Sequence, residues 1–178
     1  MPQVVVGLGN PGPAYRDTRH NIGQAVVDRL AERLHGRFRL RGPAQLAETG
    51  GSGEPLYLAK PLGFMNVVGP SVARLLDLLG LDPPALIVVY DDIDLPFGRV
   101  RVRHQGRHGG HNGVRSLIES LGTEAIRRVK VGVGRPATRD EVVDWVLTGF
   151  LPDELEALPQ VIERAADAVL EVAAAGKP

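Results

Sequence analysis

Two short apolar runs, in which no polar residue alternates, predict strands that are buried on both faces. They cover residues 3–8 and 85–90, and such continuous runs are typical of strands in parallel sheets that helices cover. Residues 99–103 alternate Arg and Val, which predicts a half-exposed strand with a basic face towards solvent. Three further strands are predicted, at residues 38–41, 55–60 and 128–134.

Apolar residues at helical spacing predict the helices. The first covers residues 21–34, where the apolar positions recur every three or four residues: Ile22, Val26, Val27, Leu30 and Leu34. Other helices are predicted at residues 68–79, 139–147 and 153–175, and a further one begins at His111 and Asn112 after a glycine-rich loop and continues over residues 116–121. Because strands alternate with helices, we expect residues 1–178 to form a single α/β domain. Its sheet should be twisted and mixed, mostly parallel, with helices on both faces.

Composition excludes several classes of protein. The chain has no cysteine, which removes disulfides, thiolate metal sites and cysteine nucleophiles. No apolar run approaches the ~20 residues of a membrane span, and no signal-peptide pattern is visible. We therefore expect a cytoplasmic protein without a membrane partner. Phosphate-loop and serine-elbow motifs are also missing, so a covalent serine enzyme is not expected.

The net charge of zero conceals an uneven distribution. Residues 95–139 contain ten Lys and Arg against two acids, a net charge of +8, whereas residues 140–178 have a net charge of −7. A basic block of this kind indicates a surface that faces a polyanion. Charge alone does not separate that interpretation from Arg-rich strands that are simply solvated.

The glycine-rich turn at residues 7–12 matches the dinucleotide fingerprint, because Gly7, Gly9 and Gly12 follow a strand. The fingerprint requires a helix that begins at once, with its N-terminus facing the pyrophosphate. Pro11 and Pro13 break that register, and the next helix is predicted only near residue 21. A nucleotide-binding α/β module is therefore the alternative interpretation.

A metal site is the other alternative. His104, His108 and His111 would share a helix face, but glycines interrupt them, and the loop offers no carboxylate or cysteine. We therefore expect neither a metal nor a cofactor.

Polar residues follow the predicted strands and are expected to meet at one edge of the sheet. They are Asn10, His20, Asn66, Asp91, His111 and Asn112. A histidine oriented by an aspartate is a base, and with no protein nucleophile it would activate water. Asparagine amides can bind a peptide carbonyl or donate to an oxyanion. The set predicts hydrolysis of an acyl bond, although each residue alone could be a turn former or a helix cap.

Five blocks in this order resemble the bacterial peptidyl-tRNA hydrolase family. They are residues 7–12, Thr18-Arg19-His20-Asn21, Phe64-Met65-Asn66, residues 91–96 and Gly109-Gly110-His111-Asn112-Gly113. The resemblance implies hydrolysis of the ester between a peptide's C-terminus and the 3′-terminal ribose of tRNA, in the cytoplasm during translation and ribosome rescue, by an enzyme expected to be a monomer.

The resemblance also implies roles for individual residues. His20 would activate water and Asp91 would orient it, while Asn112 would position the water or stabilise the oxyanion. Asn10 and Asn66 would hold the peptide and the 3′ end. Around them Tyr15, Asn21, Met65 and His111 would line or support the pocket. Arg103, and a second basic residue at either Arg128 or Lys130, would contact tRNA phosphates.

Overall fold

The computed structural model describes residues 1–176. Within them the chain folds around one seven-stranded sheet. In chain order the strands are β1 (Gln3–Gly7), β2 (Arg39–Arg41), β3 (Ala44–Thr49), β4 (Leu56–Pro61), β5 (Leu86–Asp92), β6 (Val100–Arg103) and β7 (Arg127–Gly132). Their order in the sheet is β2-β3-β4-β1-β5-β7-β6. The central strands β4, β1, β5 and β7 pair in parallel, and the outer strands pair antiparallel with their neighbours. The predicted mixed sheet is confirmed.

Helices cover both faces of the sheet. They are α1 (Ile22–Arg33), α2 (Val68–Leu79), α3 (Asn112–Leu121), α4 (Val142–Val146) and α5 (Pro152–Ala175). Helices α1 and α5 pack on one face, and α2 and α3 pack on the other. Strand β1 therefore buries Val5 in the first layer and Val4 and Val6 in the second. This double burial explains why the strand is apolar throughout.

Helix α3 begins at Asn112, in agreement with the predicted start at His111 and Asn112, and the His111 side chain caps it by accepting the backbone N–H groups of Gly113 and Val114. One predicted helix differs from the structure. The helix predicted at residues 139–147 begins instead as a 3₁₀ turn, Arg139–Glu141, and continues into the short α4. Within residues 1–176, no helix has both the length and the apolar character that a membrane span needs.

Two glycines, one at the end of β1 and one in the first turn of α1, allow close packing. A Cβ atom on Gly7 would lie 2.5 Å from the carbonyl oxygen of Gly23, and one on Gly23 would lie 2.1 Å from that of Val89. Helix α1 thus touches the backbones of β1 and β5, which brings the preceding 3₁₀ turn, Arg19–Asn21, to the end of β5. The helix itself begins at Ile22, well after the glycine turn. This geometry does not favour the nucleotide-binding alternative.

Candidate active site

Asp91, near the end of β5, is hydrogen-bonded by two histidines. Its Oδ2 atom lies 2.8 Å from Nδ1 of His20, and its Oδ1 atom lies 2.9 Å from Nε2 of His111. The Asp91 side chain is only 1% exposed, and each histidine side chain is 11% exposed. The structure thus brings together His20 and Asp91, as the sequence predicts, and adds a direct contact from His111.

The cap of α3 determines which nitrogen of His111 carries a proton, and Asp91 determines which nitrogen of His20 does. Nδ1 of His111 accepts from the N–H groups of Gly113 and Val114 at 3.1 and 3.3 Å, so its proton is on Nε2 and is donated to Asp91. An ionised Asp91 can only accept, so Nδ1 of His20 also donates to it. Nε2 of His20 then carries the lone pair, which is the tautomer that a general base requires.

Asp91 remains ionised despite its burial. Burial alone would raise the pKa of its carboxyl group, but attraction to His20 and His111 and their two hydrogen bonds outweigh this effect. The pKa is consequently held well below its usual value. The ring of Tyr90 packs edge-on against His111, with 4.9 Å between the centroids, and burial raises the pKa of Tyr90 to about 12. Tyr90 is therefore a neutral support for His111.

Asn10 is fixed by its neighbours on both sides. Its Oδ1 atom accepts the backbone N–H of Met65 at 2.8 Å, which leaves its Nδ2 group to donate to a ligand. The side chain of Asn21 binds both backbone groups of Asn10, each at 2.9 Å. Asn21 is only 3% exposed. Asn21 therefore holds Asn10 in place, which is the supporting one of the two roles predicted for it.

A cavity of about 480 Å³ lies over these groups. Among its lining residues are the predicted Asn10, His20, Met65, Asn66, Asp91, His111, Asn112 and Lys130. Asn66 and Asn112 are exposed, so their amides are accessible to a ligand. Tyr15 lies outside the lining and packs edge-on against Phe64, which lines the cavity, with 6.3 Å between the ring centroids. The predicted amides and the His–Asp pair thus share one cavity.

Part of this cavity carries no sequence signal. Val142, Val143, Val146 and Leu147 form an apolar wall around α4. Short apolar residues in a five-residue helix cannot be distinguished from ordinary core residues by their spacing. Only the 64% exposure of Val143 shows that this face is available to a ligand.

The predicted phosphate contacts separate into two kinds. Arg103 at the end of β6 is exposed, and Lys130 on β7 lines the cavity, 3.7 Å from a carboxylate oxygen of Asp92. Arg128 is only 1% exposed, and its guanidinium donates to the carbonyl groups of residues 106, 107, 124 and 126. Arg128 therefore holds the glycine-rich loop at residues 105–113, called the glycine loop below, and its burial is inconsistent with the predicted contact to phosphate.

His20, Asp91 and His111 offer three ligand atoms within 4.8 Å of one another, a set of types that could hold a metal ion. The distances of 2.8 and 2.9 Å between their atoms are those of hydrogen bonds, and Nδ1 of His111 caps α3. His104 and His108, the other members of the histidine series in the sequence, do not belong to this set.

A larger cavity, about 1110 Å³, lies between the loop after β1, α1 and α5. Its lining includes the ion pairs of Lys60 with Asp28 and of Arg29 with Glu32 and Glu163, but neither His20 nor Asp91. Paired charges leave little for a ligand to bind, so the smaller cavity is the candidate site.

Comparisons with known proteins agree with this arrangement. The family model described as peptidyl-tRNA hydrolase matches residues 4–177. A peptidyl-tRNA hydrolase of Chloroflexus aurantiacus is 48% identical over 93% of this chain and 89% of its own length. One of Mycobacterium bovis is 44% identical over 94% of this chain and 88% of its own length. A crystal structure of peptidyl-tRNA hydrolase from Acinetobacter baumannii is similar, with a TM-score of 0.87 and 29% identity over 93% of this chain and 85% of that one. The chain belongs to the peptidyl-tRNA hydrolase family.

Proposed function

We propose that this protein hydrolyses the ester that joins the C-terminus of a peptide to the 3′-terminal ribose of tRNA, releasing tRNA and peptide. The observation that carries the proposal is the His20–Asp91 pair, which presents an unprotonated Nε2 atom in a cavity lined by three asparagines. Family membership supplies the substrate class. Other ester hydrolyses would use the same pair, but the amides and the basic residues nearby suit a peptide carried on a nucleic acid.

In the proposed mechanism Nε2 of His20 removes a proton from water, and the resulting hydroxide attacks the ester carbonyl carbon. Ionised Asp91 stabilises the imidazolium that forms, as an oriented carboxylate does in other His–Asp pairs. The tetrahedral intermediate collapses by breaking the bond to the ribose 3′ oxygen. The imidazolium of His20 then returns its proton to that oxygen, which leaves as a hydroxyl group.

The asparagines provide polarity without charge. In the proposal the Nδ2 group of Asn10 donates to a carbonyl of the peptide, and Asn66 binds the 3′ end of tRNA. Asn112 positions the water or donates to the oxyanion. Asn21 fixes Asn10 through its backbone, so its effect is indirect.

The residues proposed to contact tRNA lie on one face of the sheet, because side chains alternate between the two faces along each strand. Arg101 lies opposite Lys130 in the β6–β7 pairing, and Arg103 lies two residues further on, so the three share one face near the cavity. Phosphate contacts of this kind give affinity without reading sequence. We propose that the enzyme works in the cytoplasm as a monomer, since every group of the proposed mechanism comes from one chain.

The test is hydrolysis of an N-blocked aminoacyl-tRNA by the His20→Ala variant. We expect kcat to fall by about 10²- to 10⁴-fold, the usual contribution of a general base. His35→Asn is a suitable control, because His35 has a positive φ of 57°, which Asn tolerates, and it lies at the end of α1. Near-normal turnover by a folded His20→Ala variant would rule out the proposed base.

A further inference from the structure

Arg19 immediately precedes His20, and its side chain is one of the most deeply buried in the protein, at 1% exposure. Its guanidinium carbon lies 3.5 Å from the centroid of the Trp145 ring and 5.7 Å from that of Phe150. It donates to the carbonyl of Trp145 at 3.0 Å and to Oγ1 of Thr148 at 2.8 Å. Glu154 lies 3.3 Å from its Nη2 atom. The side chain thus joins the 3₁₀ turn of His20 to the segment around α4.

In the described residues 1–176, helix α4 makes its main contacts with two short 3₁₀ turns. It has only five residues, and it packs mainly on the 3₁₀ turn Arg19–Asn21 and on its own preceding turn. The backbone adds a bond from Arg19 N–H to the Thr148 carbonyl at 3.0 Å, and the indole of Trp145 donates to the Gly134 carbonyl at 2.9 Å. Most of the side-chain bonds that hold the C-terminal end of α4 therefore converge on Arg19.

The opposite side of the same helix faces the cavity. Val142, Val143 and Val146 line it, and Val143 is 64% exposed. An apolar wall at the mouth of a polar site gains stability when an apolar part of a ligand covers it. Its position relative to His20 determines whether a bound acyl group can contact the wall and the base together.

We propose that Arg19 is a positioning residue, which acts through α4 to hold this apolar wall against the acyl side chain of the substrate. The inference rests on the proposed function for its substrate. Arg19 binds no reacting atom, and its removal leaves the His20–Asp91 and His111–Asp91 bonds available. Its loss therefore weakens contacts that ground state and transition state share, which raises KM and changes kcat little.

Trp145 gives a direct measure, because it is the only tryptophan in the chain. In Arg19→Met we expect the emission of Trp145 to shift to longer wavelength and its quenching by acrylamide to increase, since the stacked guanidinium is gone. We expect KM for an N-blocked aminoacyl-tRNA with an apolar side chain to rise about tenfold, the effect of losing an apolar contact of one or two methylenes. The acidic limb of the pH profile of kcat should not move.

Arg19→Lys protects the test against a failure to fold. Lysine retains the charge but cannot reach several acceptors in the fixed geometry of a guanidinium, so we expect the same changes on a smaller scale. Arg33→Met is the matched control, because Arg33 joins α1 to α5 through Glu163 and Asp167 and lies outside the cavity. It should lower Tm without changing KM or the emission of Trp145.

Two results would overturn the inference. A fall in Tm with KM and Trp145 emission unchanged in both Arg19 variants would make the residue merely structural. A fall in kcat with unchanged KM would mean that Arg19 acts through His20 and not through α4. Failure of the proposed function is distinguishable, since the wild-type enzyme would then not hydrolyse the substrate, while the emission of Trp145 would still respond to Arg19→Met.

Discussion

Replacing Asp91 with Asn reverses a hydrogen bond while keeping the size of the side chain. His111 must donate from Nε2, because its Nδ1 atom accepts from the N-terminus of α3. The single oxygen of the Asn amide is therefore taken by His111, and its NH₂ group faces Nδ1 of His20. His20 must then accept at Nδ1 and carry its proton on Nε2, which is the wrong tautomer for a base.

The expected loss is large for so small a change. With the wrong tautomer and without the carboxylate that stabilises the imidazolium, we expect kcat/KM to fall by about 10³- to 10⁴-fold, as in the corresponding change to a serine protease triad. This corresponds to roughly 4–5.5 kcal/mol of transition-state stabilisation. The opposite amide orientation would restore the tautomer of His20, but it would set the NH₂ group against the N–H of His111, leaving both donors without an acceptor.

Two measurements test this reasoning together. Hydrolysis of an N-blocked aminoacyl-tRNA gives kcat/KM, and long-range ¹H–¹⁵N correlation spectra of the imidazole rings report which nitrogen of His20 is protonated. Asp77→Asn, on the exposed face of α2, is the control for the same chemical change outside the site. Activity within tenfold of the wild type, or a large loss with His20 still protonated at Nδ1, would refute the tautomer argument.

Three further predictions concern stability, tRNA binding and the glycine loop. Because the pKa of Asp91 is lowered by folding, its ionised form stabilises the fold above its unfolded pKa of about 3.9, and this contribution is lost as the pH falls towards the folded value. The difference in Tm between wild type and Asp91→Asn should thus shrink as the pH falls from about 5 to about 2, and a constant difference over that range would contradict the assignment. In tRNA binding, Lys130→Ala or Arg103→Ala should reduce the slope of log Kd against log salt concentration by about one. Arg128→Met should leave that slope unchanged and lower kcat by roughly tenfold to a hundredfold through the displaced glycine loop; a reduced slope would show that Arg128 contacts phosphate after all.

The central strands and half of the site were predictable from local patterns. Apolar runs of the length found in β1 and β5 occur where helices cover both faces of a sheet, and parallel strands end at a common edge. That rule is sufficient to bring His20 and Asp91 together although 71 positions separate them. The rule predicts that these two residues lie close together, but it does not predict their hydrogen bonds.

The role of His111 depends on information that no local pattern carries. Its position directly before Asn112 and Gly113 indicates a loop or a helix cap. Its contact with Asp91 requires the glycine loop to close over the end of β5. Arg128 holds this loop by donating to backbone carbonyl groups. Such bonds do not require particular types of neighbouring side chains. Backbone acceptors are the same in every sequence, so this kind of support is visible only in three dimensions.

Only part of the positive charge in residues 95–139 is exposed. The net charge of +8 in this segment counts every residue equally, whereas the sheet distinguishes them. Arg127 and Arg128 are buried, and Lys130 and Arg135 lie beside Asp92 and Asp94. The exposed charge that remains is concentrated on and around β6, whose alternating pattern turns the Val side chains towards α5 and the Arg side chains towards the opposite face of the sheet. A polyanion therefore meets a narrow basic strip along β6. The strip lies on the same face of the sheet as Lys130, which lines the cavity. The pleat of β6 sets the position of this strip, and the number of arginines does not.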